Sequence, residues 1–337
     1  TEFWLREFLT QIGHEAVVFG LSGGLDSAMT TAFAARALGP EKVFVILMPS
    51  EVSTEGSVSH SWKLTRNLGI PDDNVLEIPI KEIVNAYYST LEKAGLPKEF
   101  LNAVKFGTVA MENVQARTRM ALEFFISNLY GKITPEMKPI MEMLAQKDKR
   151  WARFFTYRKA KLNTSDKSEM LIGNGTIFGD VAGVAAPNLD KYKTELFALG
   201  YRINELSGRE VIPLEILQKA PSPELMANQL TTDLYPPYEI LDPILVDLHE
   251  NAMSPAQLHA KYDSWNDRVS PKFRPLVDFV LGIYERNEFK RELAQMPAPK
   301  SRPRTIGKER RVTIVVKKFA QPMSAKACLA ALSSAQD

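Results

Sequence analysis

A short apolar run, Ala16-Val17-Val18-Phe19-Gly20, meets a glycine loop, Ser22-Gly23-Gly24-Leu25-Asp26-Ser27, which passes directly into Ala28-Met29-Thr30-Thr31-Ala32-Phe33-Ala34-Ala35. Strand, glycine loop and helix start in that order leave few folds open, because the loop must lie at the carboxyl end of a buried strand. Gly23 and Gly24 carry no Cβ and can take positive φ, so backbone N–H groups can converge on an anion. Ser22 and Ser27 add hydroxyl donors, and the helix beginning near Asp26 adds free N–H groups and the positive end of its dipole. The result is a cradle for phosphate. Asp26 would repel bare phosphate there, so its presence points to a divalent cation, Mg²⁺, bridging carboxylate and phosphate. A plain strand-to-helix turn capped by Asp26 and Ser27 uses the same residues. No Lys follows the glycines, which excludes the G-x-x-x-x-G-K-[ST] loop.

The same alternation continues along the chain. Phe3, Leu5, Phe8, Leu9 and Ile12 fall at helical spacing ahead of Gly13. A second buried strand is predicted over residues 42–48, a helix over 55–68 and a third strand over 74–78. The expected fold is α/β, a doubly wound, mostly parallel twisted sheet with helices on both faces. Ligands of such sheets sit outside the carboxyl strand ends, where both the 22–27 loop and Met48-Pro49-Ser50 fall. The 42 basic and 40 acidic residues nearly cancel, so charge does not call for nucleic acid. A single cysteine, Cys328, excludes an intramolecular disulfide and fits a reducing compartment. No run approaches the ~20 apolar residues of a membrane span, and Thr1-Glu2-Phe3-Trp4-Leu5-Arg6 lacks a signal pattern. A cytoplasmic protein without membrane or nucleic-acid partners is expected. Lys300-Ser301-Arg302-Pro303-Arg304 and Lys308-Glu309-Arg310-Arg311 read as a solvated tail or as a phosphate-facing lid.

The loop resembles the S-G-G-x-D-S pyrophosphate loop of the N-type ATP pyrophosphatases, which split ATP between its α and β phosphates to adenylate a substrate. Its wider context, from Gly20 to Ala28, is most similar to NAD synthetases. That resemblance implies an adenine nucleotide alpha hydrolase-like domain over residues 1–290 and a helical, basic C-terminal extension over 291–337. It also implies that Gly20, Ser22, Gly23, Gly24, Asp26 and Ser27 hold the pyrophosphate of ATP, and that Met48 borders the adenine. Met111-Glu112-Asn113-Val114-Gln115-Ala116-Arg117-Thr118-Arg119-Met120 is similar to the family's E-N-x-Q-A-R-x-R-M helix, near the dimer interface and the ATP site. Arg117 and Arg119 point about 200° apart on a helix, so one is expected to face the site, and Arg117 is preferred to offset phosphate charge.

Asn163-Thr164-Ser165-Asp166-Lys167-Ser168-Glu169 resembles G-T-x-N-K-S-E, and residues 173–180 resemble G-Y-x-T-x-Y-G-D. The match implies that Glu169 joins Asp26 as a Mg²⁺ ligand, that Thr164 touches phosphate and that Asp180 lies near the nicotinate end of the acceptor. By spacing alone, Asp166 and Glu169 equally suit a capping box. Asp190-Lys191-Tyr192-Lys193-Thr194 resembles the D-L-Y-K-T helix start, implying that Lys193 acts on the phosphates. Lys219-Ala220-Pro221-Ser222-Pro223-Glu224-Leu225 and Pro236-Pro237-Tyr238-Glu239-Ile240-Leu241-Asp242 follow as K-x-P-S-x-E-L and P-P-Y-E-x-L-D, and the prolines suggest a long ordered loop. Arg286-Asn287-Glu288-Phe289-Lys290-Arg291 resembles R-N-E-[FY]-K-R, with Lys290 a substrate-side cation. The implied catalytic set is Asp26, Lys193 and Arg117, with ATP as co-substrate.

Three departures stand out. A helical insertion is expected at about residues 131–157, covering the site or altering the dimer contact. Asn174 stands where the family has an aromatic residue that stacks on the nicotinate ring, a contact worth about 0.5–1.5 kcal/mol beyond burial. Thr231-Thr232 replace two carboxylates of the family's Q-T-D-E-D-S-L. The glutaminase domain of glutamine-dependent members is missing from this sequence, so ammonia is expected free or from a separate glutaminase. The implied activity is ATP-dependent amidation of deamido-NAD by a homodimer. The alternatives are a related ligase for another carboxylic acid and a nucleotide-binding homologue without turnover.

Overall fold

A computed structural model describes residues 1–51, 53, 55–104, 108–130, 134–220, 231–293 and 296–300. The words at Pro221 to Leu225 and at Gln229-Leu230, the basic tail beyond Lys300, and Cys328 lie outside these residues.

Four strands form one parallel sheet in the order β3-β2-β1-β4: β1 Ala16–Gly20, β2 Val43–Leu47, β3 Val75–Glu77 and β4 Lys159–Lys161. β1 and β2 are almost wholly apolar because both of their faces are covered. Val17, Phe19, Val43, Val45 and Leu47 pack on one face, against α1 Glu2–Gln11, α2 Leu25–Leu38, α3 Glu55–Asn67, α10 Lys193–Ser207 and α11 Leu214–Gln218. Ala16, Val18, Phe44 and Ile46 alternate onto the other face. There they meet α4 Lys81–Lys93, α6 Val109–Ser127 and α8 Lys149–Phe154. The short helices α5 Lys98–Val104 and α7 Lys138–Lys147 flank this second layer. The doubly wound architecture expected from the alternation of strands and helices is therefore present.

A third, all-helical cluster adjoins the sheet. It joins α9 Lys167–Ile172, α12 Tyr238–Leu245, α13 Pro255–Tyr262 and α14 Leu276–Arg286 around Leu241, Ile244, Val277 and Val280, with α15 Glu288–Leu293 following. Pro213 and Pro237 stand at the N-caps of α11 and α12, where a missing N–H costs nothing. The proline-dense stretch is thus partly helical among its described residues, not the continuous loop expected. Among the described residues no helix is long and apolar enough to cross a membrane.

The stretch expected as an insertion holds α7 and α8. Phe154 packs edge-on against Phe44 at 4.8 Å between ring centroids. Arg153 donates to Asn74 Oδ1 at 3.0 Å, and Lys149 pairs with Asp73 at 2.8 Å. These partners sit at the amino ends of β2 and β3, so α8 buttresses the end of the sheet opposite the glycine loop and does not roof that loop.

β4 carries a feature that its sequence hides. Its alternation turns Lys159 and Lys161 onto the α6/α8 face, where both are buried. Lys159 Nζ donates to the carbonyls of Leu129 at 3.0 Å, Tyr157 at 2.9 Å and Phe154, joining the end of α8 to the turn after α6. With carbonyls as these three acceptors, burial pushes the Lys159 amine down to about 8. The unfolded amine keeps its proton to about 10.4, so between these pH values the unfolded chain binds more protons and folding gains stability as pH rises. Urea unfolding between those limits is expected to show this rise, by up to about 1.4 kcal/mol per pH unit, in the wild type and to lose it in Lys159→Met. Equal slopes in the two proteins would refute the assignment.

Candidate active site

After β1 the chain moves to β2 on one side, and it later returns to β4 on the other, so the loops leaving β1 and β4 diverge. A cleft of about 480 Å³ opens at that switch point, lined among others by Ser22, Asp26, Met48, Thr164, Glu169 and Lys193. The 22–27 loop forms one wall. Gly23 has φ +76°, and a Cβ there would stand 2.4 Å from the carbonyl oxygen of Ser57 on α3. Ser22 Oγ and Ser27 Oγ lie 3.1 Å apart, Gly24 N donates to Ser22 Oγ at 3.3 Å, and Ser27 Oγ donates to the Gly24 carbonyl at 3.1 Å. Gly24 is the N-cap of α2 and receives no side-chain cap. The simple capped turn is therefore not what these residues build, and Asp26 is left to face the cleft.

Asp26 meets an ammonium there. Lys193 Nζ donates to both Asp26 oxygens at 2.7 Å and to Glu169 Oε1 at 3.0 Å, and it stands 2.9 Å from Asp166 Oδ2. Its side chain is 2 % exposed. Three carboxylates thus surround one ammonium, leaving about two formal negative charges. Burial pushes the Glu169 carboxyl up to about 7, with Lys193 opposing and Asp26 reinforcing the shift. Asp166 is likewise held well above the usual carboxylate range by burial. Burial disfavours the charge on Lys193, yet the three carboxylates together raise it well above the ordinary lysine value. One oxygen from each of Asp26, Asp166 and Glu169 can be chosen so that all lie within 4.8 Å of one another, an all-oxygen donor set that suits a hard divalent cation.

Asp166 was not among the expected ligands. Its local role concealed it: Asp166 Oδ1 accepts from Glu169 N at 2.8 Å and caps α9. The box is not closed, because the Glu169 carboxylate turns to Lys193. Asn188 ties the walls together, donating to the carbonyls of Asp26 and Thr164 at 2.9 Å each and to Thr30 Oγ1 at 3.0 Å.

The choice between the two arginines of α6 is reversed. Arg119 lines the cleft and donates to the Met48 carbonyl at 3.2 Å, whereas Arg117 is exposed and donates to the Ile177 carbonyl at 3.3 Å. Helical periodicity separates the two but does not say which face α6 presents to the sheet. Lys219, the first residue of the stretch that resembles K-x-P-S-x-E-L, is a further residue outside the expected site set. It lines the cleft and donates to Ser57 Oγ at 3.1 Å, beside the glycine loop.

At the far end of the cleft the three expected substrate-side residues converge. Asn174 N donates to the Glu169 carbonyl at 2.8 Å, and Asp180 Oδ1 accepts from Thr176 N at 2.8 Å. Lys290 Nζ donates to the carbonyls of Gly173 at 2.8 Å and Gly175 at 2.9 Å, so it shapes this loop as well as facing the cleft. Burial lowers its ammonium below the usual lysine range. A buried pair missed by sequence reasoning, Lys161 and Glu123 at 3.0 Å, lines the wall between α6 and β4.

Comparison with known proteins bears on the family and the fold. The NAD synthase family model matches residues 1–143 and 155–294, leaving out the end of α7 and all of α8. A glutamine-dependent NAD(+) synthetase of Aquifex aeolicus is 36% identical over 315 residues, 94% of this chain and 47% of that protein. Another, of Thermotoga maritima, is 32% identical over 320 residues, 95% of this chain and 47% of that protein. The chain therefore spans about half the length of these relatives. Among solved structures, a glutamine-dependent NAD(+) synthetase from Cytophaga hutchinsonii has a TM-score of 0.62 at 18% identity, covering 94% of this chain and 54% of that one. An NMN synthetase from Francisella tularensis has a TM-score of 0.59 at 22% identity, covering 88% and 94%. These two share the fold. The family match over nearly the whole described chain, together with the Aquifex and Thermotoga identities, places the chain in the NAD synthase family.

Proposed function

We propose that residues 1–290 form a synthetase domain that adenylates the carboxylate of deamido-NAD with ATP and then amidates it with ammonia, giving NAD, AMP and pyrophosphate, with residues 291–337 as an extension. The observation that carries this reading is the Asp26, Asp166, Glu169 and Lys193 cluster, set at the mouth of the glycine loop on the switch-point cleft. The acceptor carboxylate is already ionised, so the first step needs no general base; orientation and charge stabilisation supply the catalysis. A bond forms from a carboxylate oxygen to the α phosphorus as the bond to the bridging oxygen breaks, and pyrophosphate departs. Backbone N–H groups of the 22–27 loop, the Ser22 and Ser27 hydroxyls, and the ammonium groups of Lys193 and Lys219 receive its charge. Mg²⁺ held by Asp26 and Glu169 would neutralise phosphate charge as it develops. Ammonia then attacks the acyl carbon, AMP leaves on its phosphate oxygen, and the nitrogen loses a proton to solvent. Thr164, Met48 and Arg119 are placed to hold ATP, and Asn174, Asp180 and Lys290 to hold the acceptor end. A homodimer across α6, which exposes Val109 and Phe125, belongs to the same reading.

Asn174 on the cleft wall favours a second reading, amidation of another acid, and the fold shared with an NMN synthetase makes deamidated NMN the acid to try next. The test is formation of NAD from deamido-NAD, ATP and ammonium chloride. AMP release with another acid but not with deamido-NAD overturns the substrate and keeps the chemistry, whereas ATP binding with no AMP from any acid overturns the enzyme.

The two arginines separate in the same assay. Arg119→Ala is expected to raise KM for ATP about tenfold or more, because a charged hydrogen-bond donor is worth roughly 1.5–3 kcal/mol. Arg117→Ala, an exposed change, should stay near the wild-type value in a single subunit's ATP site. The opposite ranking would restore Arg117.

A further inference from the structure

Lys193 Nζ stands where a cation on these carboxylates would stand. It lies 2.7 Å from both Asp26 oxygens, 2.9 Å from Asp166 Oδ2 and 3.0 Å from Glu169 Oε1. The ligand oxygens lie within 4.8 Å of one another, close to the ~4.2 Å across an octahedral Mg²⁺ with ligands at ~2.1 Å. An ammonium in contact with all three groups and a divalent cation on the same oxygens cannot both fit that space. Asp166 adds a separate observation. The residue is fully buried, its Oδ1 is engaged in capping α9, and its Oδ2 faces the cluster at ion-pair distance without making a hydrogen bond. A buried carboxylate oxygen is costly unless a cation stands against it, a place that Lys193 fills here and that a divalent cation would fill in its stead.

We propose that Asp166 is a third ligand of the divalent-cation site, and that Lys193 is a tethered counter-ion which the cation displaces from the same three carboxylates. The backbone does not have to move for this exchange. Lys193 N is held by Ser168 Oγ at 2.8 Å, and Asp242 accepts from Ser168 Oγ at 2.6 Å and from Thr194 N at 2.9 Å, so the start of α10 is fixed. Only the four-carbon stem swings. The ammonium packs over the Tyr238 ring, 5.3 Å from its centroid, and Lys193 itself lines the cleft. Counted formally, with all three carboxylates ionised, exchange takes the cluster from about two negative charges to about one, and it releases a positive charge towards the phosphate loop. The protein would thus hold its lysine in reserve until the cation arrives. The inference rests on the cation reading of this site and is indifferent to which acid is amidated.

Binding of Mn²⁺ to the nucleotide-free protein, followed by the loss of the free-ion electron paramagnetic resonance signal, tests it without any turnover. Lys193→Gln is expected to bind Mn²⁺ at least about tenfold more tightly than the wild type, and Lys193→Arg no more tightly than the wild type. Unchanged affinity in Lys193→Gln overturns the exchange. Asp166→Asn keeps the Lys193 contacts to Asp26 and Glu169 and is expected to weaken Mn²⁺ binding at least about tenfold; unchanged affinity overturns the ligand assignment. If Lys193→Gln folds only with the ion, its melting temperature should climb with Mn²⁺ concentration far more steeply than that of the wild type, and equal dependence in the two overturns the exchange.

Discussion

Asp26→Asn is expected to lower the rate of pyrophosphate release by about 10²–10³-fold or more, the range seen when one preorganised charge-stabilising group is removed from a reacting centre. The structure adds a condition that separates this loss from misfolding. Asp26 is one of three carboxylates around the single Lys193 ammonium, and its side chain remains 24% exposed to the cleft. Removing its charge leaves Asp166 and Glu169 to satisfy Lys193 and relieves like-charge repulsion among the acids. In metal-free buffer the melting temperature should therefore hold or rise while activity falls, the trade-off of a site kept electrostatically strained for function. Glu169→Gln should behave in the same direction, because its carboxyl is already pushed up to about 7 by burial and the cost of ionising it disappears. Differential scanning calorimetry in chelator, run beside a pyrophosphate-release assay, decides the matter. A drop in melting temperature that parallels the loss of activity would make Asp26 a structural residue and sink the assignment.

The parts of this molecule that could be read from its sequence share one physical property: their signal is local. β1 and β2 are runs of Val, Phe and Ile buried on both faces, and such runs identify themselves. Ser22, Gly23, Gly24, Asp26 and Ser27 are contiguous, so the loop and its chemistry are visible together. What escaped depends on distant partners. Lys159-Ala160-Lys161 is a poor strand by composition, and it becomes one only because the carbonyls of Leu129, Phe154 and Tyr157 and the carboxylate of Glu123 receive its ammonium groups. Arg117 and Arg119 were separable by periodicity, but the docking of α6 on Met48 picks Arg119. Asp166 satisfied a local capping rule so well that its second oxygen, aimed at a lysine on another helix, was hidden. The helical pattern within residues 131–157 is local and legible, yet only the contacts of α8 with Glu41, Asp73 and Asn74 reveal that it braces the far end of the sheet.

Gly23→Ala is expected to cost about 2–5 kcal/mol of folding stability, and Gly24→Ala about 1 kcal/mol or less, although the two glycines are neighbours in one loop. At Gly23 two penalties coincide. Its φ of +76° is a left-handed conformation that costs a residue with a Cβ roughly 1–2 kcal/mol, and the added Cβ would meet Ser57 O at 2.4 Å, Ser57 Cα at 2.9 Å and Ser57 C at 3.0 Å. All three are backbone atoms of α3, so no rotamer change relieves the contact, and α3 has to move off the loop at an overpacking cost of about 1–3 kcal/mol. Gly24 has φ −95° and ψ 166°, an extended conformation open to any residue, and the nearest atom to its added Cβ is Ser22 Oγ at 3.4 Å. Its substitution removes only a favourable N-cap residue from α2. The displacement of α3 in Gly23→Ala also carries away Ser57, which accepts from Lys219 Nζ at 3.1 Å, so the phosphate wall loses its second ammonium along with its shape. A rise in KM for ATP of about tenfold or more is therefore expected to accompany the stability loss, and it should persist at temperatures where the variant is fully folded. Urea unfolding of both variants and ATP kinetics well below the melting transition measure the two effects separately. Equal stability of the two variants would mean that the close approach of Gly23 to α3 does not exist in solution.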